Sequence, residues 1–324
     1  MDLLQQIRQP ITSELAQYDA LFDQVLTHNE DFMDQVLAYV RSRKGKMMRP
    51  ILVLLLAKEW GKVTTSTLHS AVTLELLHTS SLIHDDVVDE SEERRGQTSV
   101  HSLYGNKIAV LMGDYMLSKT LEQAALTGKV EVVKAVAHLG ATLSEGEIHQ
   151  LSFVKDEEIS EKTYYAIIRR KTASLFEACG KLAALSTDAD EAFTAKATAF
   201  GDLVGMCFQI RDDIFDYYDD PAIGKPRGND MAEGKLTLPL ILALKNTGDA
   251  TMYSLARKVK AGEASAEEIA QLMEFTKQHG GVTGAEAKMN ELRNEAVSLI
   301  ADFKNEAVRV ALEKYIDFVI GRTM

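Results

Sequence analysis

The sequence predicts an all-α protein. Apolar residues recur three to four apart in most windows of its 324 residues, the spacing that gathers side chains on one helix face. Few segments alternate apolar with polar residues, as a half-buried strand would. Only five prolines and twenty glycines occur, so helical runs are seldom interrupted. Hydrophobic residues make up 46 %, enough for a sizeable core and too many for a disordered chain. No Pro/Ser/Gly-rich linker and no low-complexity tract divides the sequence. One all-α domain over residues 1–324 is therefore expected, with roughly ten or more helices at ordinary helix lengths.

In chain order, breaks are expected at Gly61-Lys62, Glu93 to Gln97, Thr127-Gly128, Lys155 to Ser160, Ser186 to Asp190, Asp219 to Thr237, Asn246 to Asp249 and His279 to Gly284. Ser160, with Thr163 beyond it, marks a helix start at Glu161. Ser265-Ala266-Glu267-Glu268 is a capping box, in which the serine and Glu268 each satisfy a free backbone group. The longest apolar run, Ile51 to Ala57, is too short to span a bilayer. Met1 to Leu15 lacks a basic segment followed by an apolar block, so no signal peptide is expected.

One acidic pattern occurs twice, as Asp85-Asp86-Val87-Val88-Asp89 and Asp212-Asp213-Ile214-Phe215-Asp216, starting 127 residues apart. The first closes a helix predicted from about Thr67 to Glu90. On it Leu74, His78, Ser81, Asp85 and Asp89 fall three or four apart and form one stripe, apolar below and carboxylate above. Carboxylates at a helix C-terminus oppose the macrodipole. A cationic partner is the better account of three together. Mg²⁺ suits them, being a hard cation held by one or two carboxylates plus water and phosphate oxygens. Arg94, Arg95 and Gly96 follow at once, and arginine forks onto diphosphate oxygens.

In the second copy Gln209, Asp212 and Asp216 make the stripe, with Gly205 and Gly201 below it. A loop with Lys225 and Lys235 follows, fitting a lid over a metal-bound anion. An apolar cleft between two carboxylate rims would take a diphosphate head and a hydrocarbon tail.

The net charge of −12 argues against nucleic acid as a partner. The two cysteines, Cys179 and Cys207, lie in apolar helical stretches without metal-ligand spacing, as reduced core thiols of a cytoplasmic protein would.

These motifs together resemble the trans-isoprenyl diphosphate synthases, the polyprenyl synthetase family, over almost the whole chain. Gly45-Lys46-Met47-Met48-Arg49-Pro50 is similar to the family's GKxxRP segment. Glu75 to Gly96 matches its first aspartate-rich region, and Gly113-Asp114-Tyr115 the start of a later helix. Lys171-Thr172 matches its KT motif, and Phe208 to Tyr217 its second aspartate-rich region, followed by Gly224-Lys225 and Gly234-Lys235. Met47-Met48 departs from the family, which often has a basic and an aliphatic residue there.

The resemblance implies an antiparallel helical bundle around a deep central cavity, of isoprenoid synthase type, normally a homodimer. It implies that Asp85, Asp86, Asp89, Asp212, Asp213 and Asp216 hold Mg²⁺ on an allylic diphosphate, the first and last of the first motif being the surest. Arg94, Lys171, Lys225 and Lys235 would contact that diphosphate. Lys46, Arg49, His78 and Arg95 would cradle isopentenyl diphosphate, and Lys171, Thr172 and Gln209 would face the reacting carbons. The reaction would be head-to-tail trans-prenyl transfer: ionisation of the allylic C–O bond, attack by the isopentenyl double bond, and loss of a proton.

In this family bulk below the first motif is thought to limit the product. Ser81 and Ser80, four and five residues before Asp85, leave the way open to Leu77. A polyprenyl product longer than farnesyl is expected, octaprenyl-like in preference to geranylgeranyl. Farnesyl or geranylgeranyl synthesis, a class I terpene cyclase and a non-catalytic partner subunit are the alternatives. Lys46, Arg49 and Arg95 favour the synthase over the cyclase, and two intact acidic motifs favour it over the subunit. The sequence leaves open the downstream use and whether product leaves at a membrane surface.

Overall fold

The computed structural model describes residues 2–42, 45–94, 96–153, 159–218 and 228–321. The chain folds into two compact units. Unit 1 comprises Met1–Gly140, Glu177–Ala199 and Asp302–Lys314, and unit 2 comprises Ala141–Phe176, Phe200–Ala301 and Tyr315–Met324.

The described residues are helical almost throughout, as the spacing of apolar residues predicts. The helices are α1 (Leu3–Arg8), α2 (Thr12–Val25), α3 (Asp31–Ser42), α4 (Met48–Trp60), α5 (Thr65–Val88), α6 (Val100–Tyr104), α7 (Asn106–Leu126), α8 (Val130–Phe153), α9 (Glu161–Ile168), α10 (Ser174–Ser186) and α11 (Glu191–Phe215). They continue as α12 (Asn229–Ala232), α13 (Leu238–Thr247), α14 (Ala250–Lys260), α15 (Ala266–Gln278), α16 (Gly281–Leu299) and α17 (Glu306–Gly321). Among the described residues the sheet is a hairpin of two-residue strands, β1 (Glu93–Arg94) antiparallel to β2 (Gln97–Thr98). Gly96 sits in that turn at φ 72°, a conformation that favours glycine.

In unit 1, α4 is buried around its whole circumference: Ile51 to Ala57 are all inaccessible. A helix apolar on every side belongs in a core, where each large aliphatic side chain contributes about 2 kcal/mol. Helix α5 starts on a cap, Thr64 Oγ1 accepting from Thr67 N at 3.2 Å. It lies between α4 and α7, packing most extensively on α7. Gly113 of α7 permits that approach, since a Cβ there would fall 2.2 Å from His84 Nε2.

In unit 2, α9 starts at Glu161 as predicted, with Ser160 Oγ accepting from Thr163 N at 3.2 Å. It runs into a π-helical turn, Arg169–Ala173, which carries Lys171 and Thr172. Single π turns inside α-helical stretches are frequent at functional sites. Gly205 of α11 faces this turn, where a Cβ would meet Ala173 Cα at 2.5 Å. The glycine therefore serves close helix packing, and Ala173 occupies the place a side chain would take. The Ser265–Glu268 capping box forms as expected. The break expected over His279 to Gly284 is confined to His279 and Gly280, because α16 already begins at Gly281. Of the loop expected from Asp219 to Thr237, residues 219–227 lie outside the described residues, and the rest contains the short α12.

Candidate active site

Within unit 1 the first acidic motif closes α5, which ends at Val88 with Asp89 as its C-cap. Its three carboxylates have different surroundings. Asp85 is half-buried and Asp89 is exposed. Asp86 is 1 % exposed, and its Oδ1 accepts a charge-assisted bond from Arg94 Nε of β1. An unpaired buried carboxylate would be costly, so the arginine offsets its desolvation.

Asp86 and Arg94 line a cavity of about 180 Å³ together with Gly45, Met47, Glu75 and His78. The GKxxRP segment, the middle of α5 and the basic turn thus reach one concavity. Met47 stands at its wall with φ 56°, ψ 37°, a left-handed conformation unusual for a side chain with a Cβ. Such strain, on the order of 1–3 kcal/mol, collects at ligand-binding positions. Lys46 is exposed, its carbonyl accepting from Arg8 Nη2 at 2.9 Å, while Arg49 is half-buried. Arg95 lies outside the described residues.

The residues below the first motif separate into two directions. Ser80 is 2 % exposed, and its hydroxyl donates to Gly113 O of α7 at 2.8 Å. Ser81 is half-buried, its hydroxyl turned back onto His78 O of its own helix at 2.9 Å. Leu77 is 5 % exposed.

Within unit 2 the second motif closes α11. A chain of hydrogen bonds links it to the KT turn. Thr172 Oγ1 donates to Gln209 Oε1 at 2.7 Å, and Gln209 Nε2 donates to Asp213 Oδ1 at 2.8 Å. Tyr164 Oη of α9 donates to Asp213 Oδ2 at 2.5 Å. The sequence stripe placed Gln209 below Asp212 and Asp216; its hydrogen bond instead goes four residues along, to Asp213. Burial pushes the Asp213 carboxyl well up, with Asp230 and Asp212 adding to it and the bonds from Tyr164 and Gln209 opposing it. Burial, then Asp216, raises Asp230 as well.

Asp216 turns to the start of α12, accepting from Asn229 N at 3.0 Å and Asp230 N at 3.3 Å. Asp212 is half-buried. Lys171 Nζ pairs with Glu147 Oε1 at 2.8 Å, and Lys235 pairs with Glu233. An arriving diphosphate would compete with a carboxylate for each lysine. Lys171, Thr172, Gln209, Asp213 and Lys235 all line a cavity of about 250 Å³, which also meets Tyr164, Ile168, Leu236 and Ile241. Lys225 lies outside the described residues. Tyr164 and Glu147 escaped the reading of motifs. A tyrosine seven residues before Lys171 carries no signal until its partner is known.

The donor set suits a hard divalent cation. The middle aspartate of each motif is buried and held by protein donors, whereas Asp85, Asp89, Asp212 and Asp216 remain at least partly accessible. Among the described residues no three His, Cys, Asp or Glu side chains form a metal-holding group by themselves. Mg²⁺ needs none, because it takes one or two carboxylates and completes its shell with water and phosphate.

Residues 30–276 match the family described as Polyprenyl synthetase. The chain is 33 % identical over 288 residues to the octaprenyl diphosphate synthase of Haemophilus influenzae, covering 89 % of this chain and 87 % of that one. Among solved structures it is similar to a geranylgeranyl pyrophosphate synthase from Bacteroides thetaiotaomicron, with a TM-score of 0.87, 44 % identity, and coverage of 99 % of this chain and 100 % of that one. It is also similar to a polyprenyl synthase from Caulobacter crescentus complexed with calcium and isoprenyl diphosphate, with a TM-score of 0.90, 27 % identity, and coverage of 99 % and 98 %.

Proposed function

The chain belongs to the polyprenyl synthetase family and is a trans-prenyltransferase, and on that premise we propose that it condenses isopentenyl diphosphate with an allylic diphosphate, head to tail, to a product longer than farnesyl. The observation that carries the assignment to particular residues is the Thr172–Gln209–Asp213 chain beside Lys171 in one cavity. It puts oxygen dipoles and a cation side by side, as an allylic carbon and its departing diphosphate would require.

Asp85, Asp89, Asp212 and Asp216 would hold Mg²⁺, which when bound neutralises charge developing on the leaving diphosphate. Lys171 and Lys235 would bind diphosphate oxygens, exchanging Glu147 and Glu233 for them. The Gln209 and Thr172 oxygens would stabilise positive charge on the allylic carbon. Lys46, Arg49 and His78, on the segment and helix that border the cavity of Asp86 and Arg94, would hold isopentenyl diphosphate with its double bond ready to attack. The released diphosphate would take the proton lost from the new chain.

Product length has two readings. The small side chain of Ser81 and the octaprenyl synthase relative favour an octaprenyl-like chain. The 44 % identity to a geranylgeranyl synthase favours a shorter one. A homodimer would cover Val110, Leu117 and Leu121, exposed leucine and valine side chains seven and four apart on α7. Two buried free cysteines support a reducing compartment such as the cytoplasm. Among the described residues no helix is long and apolar enough to cross a membrane.

Primer competition tests the proposal. Geranyl and farnesyl diphosphates, each supplied with isopentenyl diphosphate and Mg²⁺, should both be extended to one end product. A hydrocarbon formed without isopentenyl diphosphate would replace the synthase with a cyclase.

A further inference from the structure

We propose that Tyr164 and Asp213 are positioning residues that fix the orientation of the Gln209 side chain, so that Asp213 does its work inside unit 2 and not as a metal ligand. The inference rests on the prenyl-transfer reading above.

A carboxyl oxygen that carries no proton only accepts hydrogen bonds, whereas a glutamine side chain has a donating and an accepting end. Asp213 Oδ1 accepts from Gln209 Nε2 at 2.8 Å, so any proton on the carboxyl sits on the other oxygen. That choice leaves Oε1 on the other side, where it accepts from Thr172 Oγ1 at 2.7 Å. Turning the amide over would set two acceptors against each other at Asp213. The threonine hydroxyl, having given its proton to Gln209, keeps its lone pairs for the cavity. Asp213 thus determines that oxygen atoms, and not N–H groups, border the space beside Lys171.

Asp213 is itself held from the far side. Tyr164 Oη donates to Oδ2 at 2.5 Å, and Tyr164 and Asp213 are only 5 % and 3 % exposed. The carboxylate is therefore clamped between α9 and its own helix, four residues from Gln209. A buried carboxyl group gripped by two donors is a stiff support, and supports around a working group affect its alignment more than its affinity. Asp212 and Asp216, its neighbours in the motif, remain half-buried. The doubled acidic pattern accordingly splits its tasks, with outer aspartates accessible and the inner one structural.

The test uses the full-length enzyme with Tyr164→Phe, Asp213→Asn and the double variant. Tyr164→Phe should lower kcat by about tenfold to a hundredfold, the usual loss for such supporting partners. The KM for each diphosphate and the half-saturating Mg²⁺ concentration should stay within about twofold. The double variant should be no slower than Asp213→Asn alone, because both remove one support. In the metal-free protein, the Gln209 side-chain amide resonances, assigned by their loss in Gln209→Glu, should shift in Tyr164→Phe. Full kcat in Tyr164→Phe, additive losses, or a raised Mg²⁺ requirement as the main defect of Asp213→Asn would overturn the proposal. Should Tyr164→Phe lose its helical content, Asp213→Asn, which conserves volume, decides through its Mg²⁺ requirement and amide spectrum. An unmodified enzyme that transfers no prenyl group would refute the functional reading, while unmoved amide resonances would still refute the positioning.

Discussion

Ser80 and Ser81 are adjacent in the sequence, yet a phenylalanine should act differently at each. At Ser80 it would remove a buried bond to Gly113 O, worth about 1 kcal/mol net. It would also force a ring into the closely packed α5–α7 contact, where overpacking costs about 1–3 kcal/mol. Together roughly 2–4 kcal/mol is lost. At on the order of 2 °C per kcal/mol for a large domain, the melting temperature should fall by about 4–8 °C. At Ser81 the hydroxyl bonds only within its own helix, so its loss costs little. The half-buried ring would stand four residues, about 6 Å, below Asp85. There it should meet the growing chain and shorten the product towards geranylgeranyl or farnesyl. Thermal denaturation reads the first effect. Chromatography of dephosphorylated products reads the second. A Ser81→Phe enzyme with the original product length, beside a Ser80→Phe enzyme that is stable and makes a shorter chain, would refute this assignment of directions.

Asp85→Ala and Asp212→Ala should each abolish turnover while circular dichroism shows unchanged helical content; near-normal rates in both would remove these residues from metal binding. Cys179 and Cys207 should resist iodoacetamide in the native protein at pH 8. Burial pushes both thiols up to about 12, leaving about one thiolate in ten thousand; mass spectrometry should find label only after denaturation. Because burial raises the carboxyl of Asp213, its protonated form favours the fold. That contribution is complete below the ordinary carboxylate range and is lost as pH rises through the raised value. In the metal-free protein Asp213→Asn should therefore flatten the decline of melting temperature with rising pH, and an unchanged slope would contradict the burial argument.

Helix periodicity placed Asp85 and Asp89 on one face of α5, and the cap at Ser160 fixed the start of α9. Those features depend on neighbours within one segment, so a sequence displays them. The predicted helix from about Thr67 to Glu90 differs by two residues at each end from Thr65–Val88, because terminal turns depend on which side chain caps them. The hidden features depend on a second segment. That Ser80 faces Gly113 requires knowing that α7 crosses α5 there. That Asp86 belongs with Arg94 requires the β1–β2 turn, which brings residues eight apart together. Tyr164 became legible only once α9 lay against α11, and the π turn at Lys171 has no pattern of its own. The small size of Gly205 was visible; whether it left a space or admitted a neighbour depended on Ala173.

The central claim is that this chain joins isopentenyl diphosphate to an allylic diphosphate and carries the product past farnesyl. Incubation of the folded protein with radiolabelled isopentenyl diphosphate, farnesyl diphosphate and Mg²⁺, followed by dephosphorylation and reversed-phase chromatography, measures it in one step. Label should appear in an all-trans polyprenol longer than farnesol, and only when primer and Mg²⁺ are both present. Label that stays in isopentenol with the protein folded and both additions made would contradict the account.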